Sequence, residues 1–168
     1  MAIRILIGTL CVSVLFITAL FNSSTSPAVN AALSQIAVPT PVPNETPRFS
    51  DYRGITLGMP AADARAKLGV ARDSSDQEDF YVISDGETCQ LIYQDKLVKA
   101  ISTTYTGSGS KAPTPNEIFG MDVEAKPDGS INKLVKYPKV GFWISYIRTD
   151  GTDPMTMVTV HKLQKGEF

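Results

Sequence analysis

The sequence predicts an α+β fold: a short helix packed on an antiparallel three-stranded meander, with two such units in tandem forming one sheet layer and the helices on one face. Three observations carry this. Helix punctuation between Pro60 and Gly69 is followed by three strand-like runs separated by tight-turn signals. A second helix start at Thr114 is followed by three more such runs. A Gly/Ser/Pro-rich connector, TGSGSKAPTP, separates the two sets. The halves share little residue identity, so what recurs is an architecture and not a sequence repeat.

The first helix lies in GITLGMPAADARAKLG. Pro60 suits the first helical turn, where a missing N–H costs nothing. Ala61, Ala64 and Leu68 fall on one face, and Gly69 can end the helix at positive φ. ARDSSDQED follows, with Asp73, Asp76, Glu78 and Asp79. Its spacing is not that of a calcium loop, which makes it a solvated acidic loop. FYVIS then runs through Asp85-Gly86 into ETCQLIYQ, and Asp-Gly predicts a type I′ hairpin with positive φ at both central residues. Asp95-Lys96 turns the chain into LVKAISTTY.

In the second half, Thr114-Pro115-Asn116-Glu117 is a capping box with Pro at the first helical position, and Gly120 is its stop. INKLVKY, VGFWISYIRT and MTMVTVHKL are its strands, separated by Pro138-Lys139 and by Asp150-Gly151-Thr152-Asp153-Pro154. Val140, Phe142, Ile144 and Tyr146 alternate onto one face, which puts Trp143 on the other with Ser145 and Ile147.

The N-terminal segment decides the compartment. Arg4 is the only charge before Glu45, and an apolar run spans residues 5–21. Such a run reaches about 25 Å, the lower limit for a bilayer core, and Val29-Asn30-Ala31 offers a cleavage site. Residues 1–31 are therefore a signal peptide or a retained membrane anchor. Cys11 follows Leu10 inside the apolar run, which does not fit a lipidation site. Residues 32–49 form a linker broken by Pro39, Pro41, Pro43 and Pro47. The α+β domain spans residues 50–168, with units at 50–105 and 112–168. The expected location is extracytoplasmic, periplasmic or secreted, with the membrane reached through the N-terminal segment if it is uncleaved.

The formal net charge of the chain is −1, and neither half has the one-signed field that a nucleic acid partner requires. One histidine, His161, and one cysteine beyond the apolar run, Cys89, cannot build a metal site. No intramolecular disulfide can form in the domain. Cys89 alternates with Leu91 and Tyr93, as a buried thiol on an inward strand face would. A Cys89/His161 dyad would need strands of different halves to meet with the thiol exposed.

Gly58, Met59, Asp63, Leu68 and Gly69, followed by a three-stranded meander, make residues 52–105 resemble the SmpA/OmlA (BamE-like) domain family. Pro60 and Ala71 depart from the family pattern, and no lipidation box is present. The tandem arrangement is similar to the doubled domain of β-lactamase inhibitory protein-like folds. The resemblance implies a non-enzymatic envelope role in assembly, peptidoglycan or lipid contact, or protein binding.

The expected function is that of a non-enzymatic exported cell-envelope protein, a protein-binding or envelope-assembly module with an envelope protein as partner. No catalytic, cofactor-binding or metal residue is assigned. The alternative is a small extracytoplasmic enzyme, or an inhibitor of an envelope hydrolase, using a site without a motif. Trp143, Tyr146 and Arg148 are the candidate partner-binding residues, since Trp, Tyr and Arg dominate protein interfaces. On a regular strand Trp143 and Tyr146 face opposite ways, so joining them needs a bulge or an edge position.

Overall fold

A computed structural model of the chain describes residues 47–107 and 110–164. The signal-or-anchor segment and most of the linker lie outside the described residues. The chain folds mainly as antiparallel sheet with two short helices. A hairpin of β1 (Asp51–Tyr52) and β2 (Ile55–Thr56) leads into α1 (Ala61–Leu68). Then come β3 (Asp73–Ser74), β4 (Glu78–Ser84), β5 (Glu87–Gln94) and β6 (Leu97–Tyr105). After α2 (Pro115–Phe119) follow β7 (Ile131–Tyr137), β8 (Phe142–Arg148) and β9 (Thr156–Lys162). The larger sheet has seven strands in the order β3-β4-β5-β6-β9-β8-β7. Its seam is the antiparallel pair β6–β9, in register from Ala100 opposite His161 to Tyr105 opposite Thr156.

One face of this sheet holds the core. Tyr81, Cys89, Thr103, Val158 and Tyr146 lie opposite one another across five strands. Asp79, Leu91, Ile101, Val160, Ile144 and Val135 form the next row on the same face. All eleven are buried. Ala64 of α1 belongs to the first core cluster, while Ile118 and Phe119 of α2 belong to the second. Phe49 and Leu57 pack against both, so the two clusters are tied together.

Helix α2 follows its local code. Thr114 accepts from the Glu117 N–H, Glu117 reaches back to the Thr114 N–H, and Gly120 ends the helix at φ 75°. On α1 only Ala64 is fully buried, with Ala61 and Leu68 half-buried against the core. Pro60 stands one place before the helix and is bridged to Leu97.

Three expectations need correction, and short strands that the sequence does not announce are added. The short β1–β2 hairpin, turning on Arg53 (φ 51°) and Gly54 (φ 76°), and the two-residue β3 carry too little periodicity to be read. Asp79 is not in a solvated loop but fully buried in β4. At Asp85-Gly86 only Gly86 takes positive φ, because β4 shifts register between Val82 and Ser84; Asp95-Lys96 is the turn with both residues positive, at 54° and 62°. Val140 lies in the β7–β8 turn, exposed, and not on the core face of β8.

Candidate functional site

The other sheet face carries no described helix. Its side chains form three rows read straight from the register. The first is Glu78, Ile92, Ala100, His161, Trp143 and Lys136. The second is Phe80, Gln90, Ser102, Thr159, Ser145 and Leu134. The third is Val82, Thr88, Thr104, Met157, Ile147 and Asn132. Of these eighteen only Ala100 is buried. The face mixes apolar and small hydroxyl or amide groups, and its two charges sit on the outer strands. Ser102 and Thr159 hydroxyls bond across the seam at 3.0 Å.

Trp143 and His161 are directly opposite on β8 and β9, stacked with ring centroids 4.9 Å apart and planes 12° from parallel. His161 Nδ1–H donates to the Lys162 carbonyl at 2.7 Å, which assigns the tautomer and orients the ring. The pair makes a rigid aromatic platform with few rotatable bonds, the type of group that anchors protein interfaces.

Of the three candidate residues, the structure separates Trp143 from the others. Tyr146 is buried on the core face, edge-on to Phe119 with centroids 6.4 Å apart. Arg148 shares the side of Tyr146, at the exposed end of β8. Both line a cleft of about 440 Å³ with Pro113, Thr114 and Thr156. The strand is regular through this stretch, so the geometry that would join Trp143 to Tyr146 does not occur. His161 is the residue that sequence reasoning missed. Only the pairing of β8 with β9 brings it onto Trp143.

Cys89 is fully buried on the core face, and burial pushes its thiol up to about 12. His161 projects from the opposite face, so no thiol–imidazole dyad exists. The Asp79 carboxylate is the most densely bonded group in the chain's described part. Arg65 donates to it twice, at 2.8 and 3.0 Å. Ser74 donates at 2.5 Å, Tyr93 at 2.6 Å and Tyr81 at 3.2 Å. Burial raises this carboxyl, but the bonds from Arg65, Ser74 and Tyr93 outweigh it and hold it well below the usual carboxylate range. With its acceptor positions occupied in the folded chain, Asp79 acts as a clamp that holds α1, β3 and β5 to β4. Among the described residues no three His, Cys, Asp or Glu side chains are grouped to hold a metal ion. No helix among them is long and apolar enough to cross a membrane.

No family model, curated protein or solved structure matches this chain.

Proposed function

We propose that this is a non-enzymatic, exported cell-envelope protein that captures a protein partner on the face of its seven-stranded sheet that no described helix covers. One observation carries the reading: a broad sheet face that no described helix covers, with the stacked Trp143–His161 pair on two of its inner strands. Tyr146 and Arg148 leave the proposed surface, and Trp143 becomes its anchor with His161 beside it. The N-terminal segment acts as signal or anchor and puts the domain outside the cytoplasm. In this reading the chain is two helix-plus-meander units joined at β6–β9, with both helices on the core side, in keeping with its resemblance to the SmpA/OmlA family.

The test is capture of partners from an envelope extract by the tethered full chain. Trp143→Ala should abolish capture while its melting temperature stays within a few degrees of the parent, since Trp143 is not in either core cluster. A variant that retains the captured partner overturns the reading.

A further inference from the structure

His161 is the one histidine of the chain and Trp143 its one tryptophan, and the fold stacks them ring on ring. The His161 Nδ1–H is taken by the Lys162 carbonyl. Nε2 has no hydrogen-bond partner among the described residues. A proton taken up at Nε2 therefore breaks no bond and leaves the ring in place. It changes the charge of the platform and not its shape, since an imidazolium over an indole is held by cation–π attraction as well as by stacking.

The surroundings give that charge its effect. No other side chain that β5, β6, β8 and β9 place in the three rows is charged. The charged groups that the register sets around the stack are cations: Lys136, opposite Trp143 on β7, and Lys99, at the register shift of β6 against β5. Lys162 follows His161 in the chain, but strand alternation puts its side chain on the other face, with Val158 and Val160. Glu78 is the one carboxylate in the rows, and it lies on β4, three strands from His161.

From this we infer that the platform is a proton-operated release: the face holds its partner with His161 neutral and lets it go with His161 protonated. The inference rests on the reading of this face as a protein-docking surface and adds its regulation. The direction follows from solvation. A partner seated on Trp143 covers the imidazole stacked on it. Covering a neutral ring desolvates one acceptor nitrogen. Covering an imidazolium desolvates a full charge, and the neighbouring strands hold no carboxylate in the rows to accept its Nε2–H. The docked state is therefore the one that protonation penalises, and capture weakens as pH falls through the range in which histidine changes charge.

The experiment has two arms, both on the full chain in a non-ionic detergent. The first needs no partner. Iodide and acrylamide both quench the fluorescence of Trp143, and only iodide senses a charge beside the indole. From about pH 8 to about pH 5.5 the iodide quenching constant should rise about two-fold relative to that of acrylamide, and His161→Gln should remove the rise. A ratio that stays level, or that rises equally in His161→Gln, overturns the switch. The second arm is capture from envelope extract. The wild-type chain should hold several-fold less partner at the acid end than at the alkaline end, along the same pH curve as the iodide ratio. His161→Phe keeps a flat ring on Trp143 without the proton, and its capture should lack that step. Wild-type capture that is level, or stronger in acid, overturns the release. If Trp143→Ala loses its partner while the wild type and His161→Phe respond alike to pH, the docking face stands and the switch falls. If Trp143→Ala keeps its partner, the docking reading itself falls, and the release falls with it.

Discussion

At the residue scale, Asp79 shows how a buried charge can be structural and nothing else. Asp79→Asn keeps the shape but loses the ion pair with Arg65. We expect a loss of about 2–3 kcal/mol in urea unfolding, toward the low end for a buried pair because the Arg65 side chain remains 40% exposed. The same carboxyl predicts a pH effect. Its folded pKa is depressed, so its contribution is complete above the unfolded value near 4 and is lost as pH falls from there toward the folded value. Wild-type stability should therefore drop below about pH 4 more steeply than that of Asp79→Asn, as measured by melts across the acid range. Cys89 gives a second check. In a Cys11→Ser chain, a thiol reagent at neutral pH should find no reactive cysteine until the protein unfolds, because burial both shields the sulfur and raises its pKa.

At the scale of the element, the two helices differ in what makes them. Helix α2 is five residues long, too short to stand on propensity, and relies on its cap and on Ile118 and Phe119. Thr114→Ala should cost about 1 kcal/mol, read by the shift of the urea midpoint. Helix α1 has no side-chain cap and ends on Gly69 at φ 81°, ψ −146°, a conformation open to glycine and costly for other residues. A Cβ at Gly69 meets nothing within 4 Å, so Gly69→Ala should cost only its backbone strain, about 1–2 kcal/mol. The substitution that α1 tolerates least is at Ala64, which is fully buried, and not at Leu68, which is half-buried. Ala64→Asp should destabilise by several kcal/mol and Leu68→Asp by less; equal melting points for the two would contradict this ordering.

For the molecule as a whole, the β6–β9 seam and the shared packing of Phe49 and Leu57 join two core clusters into one cooperative structure. A chain starting at Pro47 should therefore be soluble and unfold in a single transition, with tyrosine and tryptophan signals coincident. Two separate transitions would mean that the seam does not couple the halves. The seam also creates the broad sheet face that no described helix covers. Neither meander alone is wide enough to offer it, and Trp143 and His161 come together only because β8 and β9 are adjacent in the sheet.

How much of this was legible follows from the range of the forces involved. The runs ETCQLIYQ, LVKAISTTY and INKLVKY correspond to β5, β6 and β7, and the Thr114 box starts α2, because alternation and capping act over a few residues. The face of Trp143 relative to Ile144 and Tyr146 was also readable, since a regular strand alternates. The burial of Asp79 was not readable, because three of its five hydrogen bonds come from Arg65 of α1 and Tyr93 of β5, each fourteen residues away. The turn at Asp85-Gly86 departed from its local signal because strand register, a long-range property, added a residue to β4. By itself, then, the sequence determined which residues alternate, cap and turn. Only the tertiary structure decided that β6 pairs with β9 and that Trp143 stacks on His161 across a sheet face that no described helix covers. Those contacts join residues far apart in the chain, and no local pattern encodes which distant strand a strand will meet.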